Sequence, residues 1–209
     1  MDIKLYGELA SRTAKDMGTE RLNLGHFAFG AFTEAGELGT MTKAHIFYGK
    51  DFDRQNAVEE LGDIAWFIIN TLRVLGEDYT VLMEGSVEGQ TVVFAVDEMQ
   101  KIQAASTTLP TSMKEGFFNL SWALGGGTGR VLQMLDPFAT GFSTFILDSE
   151  RAMIVQQLVI NFQLVGIAAH VLRIPMSSVL LQNIQKLAKR YGDKYTDHAA
   201  LLRADKKED

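Results

Sequence analysis

Only three prolines interrupt 209 residues, and the long stretches between them carry apolar side chains every three or four positions. That period lines up one face of an α-helix, whereas a half-buried strand alternates at every second residue. Val58, Leu61, Ile64, Ala65, Ile68, Leu72 and Leu75 fall on one such stripe, and Gly76 supplies a residue able to stop the helix in the left-handed conformation. Val179, Leu180, Ile184, Leu187 and Tyr191 repeat the pattern near the C-terminus. The exception is EGQTVVFAVDE, whose β-branched run reads as a short strand or an extended linker. The sequence therefore predicts an all-α helical bundle.

At 46% hydrophobic, the chain can bury one sizeable core or two small ones without disulfides or structural metals. It contains no cysteine, which removes zinc-thiolate sites and thiol nucleophiles and fits a reducing compartment. The N-terminus shows no charged-then-apolar leader, and no apolar run reaches the ~20 residues that span a bilayer. A cytoplasmic protein with no membrane partner is expected. A net charge of -6 argues against nucleic acid as a partner, because phosphate-backbone affinity rests on surplus Lys and Arg.

The chain also resembles itself. Slid so that Tyr6 falls on Met99, the first half lays Leu9 on Ile102, Phe27 on Leu120, Phe29 on Trp122 and Gly36 on Gly129. A slightly larger shift then lays Arg54 on Arg151, Val58 on Val155, Leu61 on Leu158 and Leu75 on Leu172. Few positions are identical, and chance coincidence of two helical periods competes with duplication as the explanation. On the duplication reading the differences are informative: Glu34 falls on Gly127, Glu37 on Arg130, Glu60 on Gln157 and Asp63 on Ile160. The apolar pattern survives while all four acids vanish together.

Those acids are the chemical signal. Residues three apart share a helix face, so Glu34/Glu37 and Glu60/Asp63 each form a paired patch. E-x-x-E on a helix is more often a solvated or Lys/Arg-paired face. Here, however, Glu60 sits between Val58 and Leu61, and Asp63 is followed by IAWFIIN. Buried like charges repel and lose hydration at several kcal/mol per ion, a conflict that a hard divalent cation resolves. Magnesium, with manganese as the alternative, prefers carboxylate and water oxygens.

Beyond the two acidic pairs stand Lys43 to Lys50 in the following segment, Glu59 beside Glu60, and Asn183, Lys186, Arg190 and Tyr191 in NIQKLAKRY. The set E-x-x-E, a Lys-bearing loop, E-E-x-x-D and N-x-x-K-x-x-x-R-Y resembles the MazG-like, all-α nucleoside triphosphate pyrophosphohydrolases, which include dimeric dUTPases and phosphoribosyl-ATP pyrophosphohydrolase. The resemblance implies magnesium-dependent hydrolysis of a nucleotide between its α- and β-phosphates. It gives Glu34, Glu37, Glu60 and Asp63 the metal, and one of them or Glu59 the attacking water. Lys186 and Arg190 are expected on phosphate oxygens, with help from Lys43 and Lys50, and Asn183 and Tyr191 near the substrate. Trp66 would stack on a base or simply pack in the core.

The chain departs from the family in length, since the basic motif is missing after the first half and arrives only after the second. It therefore reads as a fused pseudo-dimer: a first unit over residues 1–85 with the acids, a linker over 86–97, a degenerate second unit over 98–197 with the basic helix, and a charged, frayed tail over 198–209. Association into a homodimer is open but less needed, because the second unit already supplies a partner. GGGTGR (residues 125–130) lacks the G-K-[ST] ending of a phosphate loop, and its glycines bend a helix or admit another one closely. His26, His45, His170 and His198 lack E-x-x-H spacing, which disfavours a di-iron centre and leaves them structural or surface roles.

Overall fold

The structure, a computed structural model, describes residues 1–87, 90–93, 113–135 and 148–203. These form seven helices: α1 (Ile3–Arg12), α2 (Glu20–Tyr48), α3 (Arg54–Leu75), α4 (Met113–Leu135), α5 (Asp148–Val171), α6 (Met176–Tyr191) and α7 (Asp197–Leu202). A 3-10 turn, Tyr79–Met83, leads into the strands β1 (Glu84–Val87) and β2 (Gln90–Val93), which pair antiparallel with Glu84 opposite Val93. The β-branched run therefore begins as a strand, while FAVDE lies outside the described residues. Short polar side chains start the helices: Thr19 Oγ1 accepts from the Leu22 amide at 3.2 Å and Asp53 Oδ1 from the Asn56 amide at 3.0 Å. Gly49 and Gly76 end α2 and α3 at φ of 67° and 74°.

Helices α2, α3, α4 and α5 make a four-helix bundle in which α2 packs on α3 and α4, and α5 packs on the same two. Helices α1 and α6 cover a further side of α3. As a result α3 is enclosed almost all round, and every residue of its sequence stripe from Val58 to Leu75 is buried. One apolar core takes in residues from both halves, including Phe27, Leu61, Phe117, Val165 and Leu180.

Helix α5 is long and apolar enough to cross a membrane by length and composition, contrary to the expectation that no segment would be. Half of its most apolar window is buried against the bundle, as in a core helix. Residues 198–202, assigned to the tail, instead belong with Asp197 to α7, started by Thr196, whose hydroxyl accepts from the Ala199 amide at 3.1 Å.

Two arginines tie α3 to α5 reciprocally. Arg54, at the start of α3, donates from Nε and Nη2 to the Leu172 carbonyl just beyond α5, at 3.1 and 2.7 Å. Arg151, near the start of α5, donates to the Leu75 carbonyl at the end of α3. Each cation thus satisfies an orphan carbonyl at the negative end of the other helix.

The glycine run in α4 does not interrupt the helix, which continues through it to Leu135. Close approach is the reason at Gly127, where a Cβ would stand 2.0 Å from Asn161 Oδ1 and 3.1 Å from Gln157 Nε2 of α5. Gly127→Ala is expected to destabilise by about 1–3 kcal/mol through overpacking, or about 2–12 °C in Tm for a chain of this size, as read by thermal circular dichroism.

Candidate metal centre

Glu34 and Glu37 stand one turn apart in α2, and Glu60 projects from α3 beside them. Side-by-side packing of the two helices brings one carboxylate oxygen of each residue within 4.8 Å of the other two. Exposure falls across the three: Glu37 is open to solvent, Glu34 is half-buried, and Glu60 is only 5% exposed. Among the described residues Glu60 is the only Asp, Glu, Lys, Arg or His that is buried. Full charge on all three would cost about 3 kcal/mol of repulsion per pair at an effective dielectric near 20.

Without a cation, a proton relieves that repulsion: two carboxyl groups this close can share one, the protonated group donating to the other. Burial first, and then the proton-sharing Glu34, push Glu60 up to about 8. Glu34 is raised as well, by burial and next by the nearby Asp63 charge.

Asp63, one turn past Glu60, lies outside that tight cluster and is held by α6. Asn183 Nδ2 donates to Asp63 Oδ1 at 2.8 Å, and Lys186 Nζ donates to Oδ2. Lys186 also reaches Glu59 Oε1 at 3.3 Å. The Tyr6 hydroxyl donates to Asn183 Oδ1 at 3.1 Å, which orients the amide so that its NH₂ faces Asp63. Gly62 leaves room for this arrangement, since a Cβ there would come within 2.9 Å of the Asn183 Cβ. Burial raises the Asp63 pKa more than Lys186 lowers it.

Glu34 and Asp63 also border a cavity of about 220 Å³, lined further by Thr13, Lys15, His26, Trp66, Phe67, Arg190, Tyr191 and Tyr195. Trp66 is mainly a core residue: it is 8% exposed, its indole N–H donates to the Ala10 carbonyl at 3.0 Å and to Thr13 Oγ1 at 3.2 Å, and its ring meets Phe27 edge-on. Partial burial and then the Lys15 charge lower the His26 pKa, favouring the neutral imidazole. Tyr195 is brought in by its amide, which donates to the Arg12 carbonyl at 3.1 Å, and by its hydroxyl, which donates to Asp197 at 2.8 Å.

Of the residues expected at the site, the structure gathers Glu34, Glu37, Glu59, Glu60, Asp63, Asn183 and Lys186, and puts Arg190 and Tyr191 at the adjoining cavity. Lys43 and Lys50 are not among the residues lining it. Lys43 stands about 13 Å beyond Glu34 along α2, with its ammonium 6.0 Å from the Tyr48 ring. Lys186 meets carboxylates rather than open solvent, with 13% of its side chain exposed, so a phosphate would compete with Asp63 and Glu59 for it. Sequence reasoning missed Thr13, Lys15, His26, Phe67 and Tyr195, which carry no motif spacing. An all-α bundle with a three-carboxylate cluster beside an aromatic cavity is the class that fold and site define. No family model, no curated protein and no solved structure matches the chain.

Proposed function

We propose that the protein is a divalent-cation-dependent nucleoside triphosphate pyrophosphohydrolase that cleaves between the α- and β-phosphates, releasing pyrophosphate and a nucleoside monophosphate. The observation that carries this reading is the convergence of Glu34, Glu37 and Glu60 within 4.8 Å, with Glu60 buried. Glu34, Glu37 and Glu60 would hold the cation, and their all-oxygen donor set suits magnesium, or manganese in its place. When bound, such an ion would supply positive charge against the phosphates and Lewis acidity toward water. The chain's own groups do the rest. Asn183 and Lys186 fix Asp63, leaving Glu59 or a cluster carboxylate to take the proton from water. Arg190 and Lys15, the latter paired with Asp197 at 2.7 Å, bring positive charge to the cavity, whose aromatic walls suit a base or sugar. Such a substrate belongs in the cytoplasm.

The MazG-like motifs support this reading further. N-x-x-K lies far from E-E-x-x-D in sequence, yet Asn183 and Lys186 bond to Asp63. The fused pseudo-dimer has support from the arginine exchange, because Arg54 and Arg151, and Leu172 and Leu75, are the positions that the two halves align. Where the first half brings Glu34 beside Glu60, the second packs Gly127 against Gln157 and Asn161, a neutral arrangement without a carboxylate.

Pyrophosphate release should appear with at least one member of a panel of ribo- and deoxynucleoside triphosphates in the presence of magnesium. Glu34→Ala and Glu37→Ala should each abolish it while far-ultraviolet circular dichroism stays helical. Turnover retained in both variants overturns the assignment, and no release with any nucleotide favours a non-catalytic nucleotide- or metal-binding module.

A further inference from the structure

Helices α2 and α4 run antiparallel, with Thr42 and Ser121 hydrogen-bonded across the seam at 2.8 Å, and the outward face they share is aromatic. Phe29, Phe32, Phe47, Tyr48, Phe118 and Trp122 are between 37% and 75% exposed. Phe47, Phe118 and Trp122 form a chain of rings 6.2 and 6.3 Å apart at one end, and Phe29 and Phe32 pair at 6.4 Å at the other. Between the two groups the floor is flat, because a Cβ at Gly36, Gly39, Gly125 or Gly126 would meet nothing within 4 Å. From Phe29 to Phe47 the face runs about 27 Å.

We propose that this face is the interface of a homodimer, in which each copy seats its aromatic side chains over the glycine floor of the other. Area is the first argument. At these exposures the six side chains offer roughly 600–700 Å² of mostly apolar surface, more than the largest patch of a typical monomer and close to the ~800 Å² per partner of a standard stable interface. Self-complementarity is the second. A two-fold contact needs knobs and hollows on one and the same surface, and the α2/α4 face carries both. Third, the alignment of the two halves lays Phe29 on Trp122, so an exposed aromatic persists where the acids do not, at positions 51% and 75% exposed that the core does not use. A lipid surface fits less well, since a chain of net charge -6 is repelled by anionic headgroups.

The test is light scattering on the full chain at micromolar concentration, where a mass twice the 23.2 kDa of one chain is expected. The double variant Phe47→Glu/Trp122→Glu should run as a monomer with unchanged helicity. Acrylamide quenching gives a second readout on the unaltered protein: of the two tryptophans, Trp66 is 8% and Trp122 75% exposed, so quenching should fall as protein concentration rises and Trp122 is covered. A monomer at all concentrations, a dimer that survives both substitutions, or a monomer that floats with phosphatidylcholine vesicles would each overturn the proposal.

Discussion

Glu60→Gln is expected to lower pyrophosphate release by at least about a hundredfold, the scale of losing one preorganised charge at a reacting centre, and yet to stabilise the cation-free protein at pH 8. Both effects follow from one fact: Glu60 is an acid 5% exposed, placed within 4.8 Å of two others. A glutamine keeps the shape and can donate to Glu34 without needing a proton, so it removes repulsion while removing a cation ligand. Trading a buried charge for a neutral isostere of this kind gains about 1–2 kcal/mol, or about 2–8 °C in Tm. Differential scanning fluorimetry with and without magnesium reads the second half of the prediction. The unaltered protein should gain Tm on adding the cation, since a ligand bound to the folded state alone stabilises it, and the variant should not.

The pH dependence of stability should flatten when the cation is bound. Glu60 titrates near its ordinary value of 4.5 in the unfolded chain and at about 8 in the folded one. The folded state therefore binds more protons across that window, and its stability falls as pH rises from about 4.5 through about 8. Glu34 and Asp63, raised in the same direction, add to the slope. His26, whose pKa is lowered by burial, favours the folded state less as pH falls and so opposes them at the acid end. Saturating magnesium competes with the protons on the carboxylates, so the gain in Tm should be larger at pH 8 than at pH 5.5. At a hundredfold excess over Kd it amounts to about 2.7 kcal/mol. Equal gains at both pH values would place the bound cation away from Glu60.

Local order was legible in the sequence because helices write their period into it. The stripe from Val58 to Leu75 is buried throughout, and Gly76 takes the left-handed conformation assigned to it. Glu34 and Glu37 share a face as their spacing requires, and Glu60 faces them. The partition of the acids was not legible. Asp63 has the same three-residue relation to Glu60 that Glu37 has to Glu34, yet α6 covers it and engages it with Asn183 and Lys186. That difference is made by a helix more than a hundred residues away. The cavity is hidden for the same reason, since Lys15, His26 and Tyr195 come together from three segments and none belongs to a repeating pattern. Gly127 reads as a weak helix former in sequence, and its reason appears only once Asn161 stands against it.

Anomalous diffraction from crystals grown with manganese tests most directly whether the acidic cluster is a cation site. One strong peak is expected, bounded by oxygens of Glu34, Glu37 and Glu60 at about 2.0–2.4 Å from each. Density without such a peak, with these carboxylates turned to solvent or drawn onto lysine and arginine side chains, would contradict it.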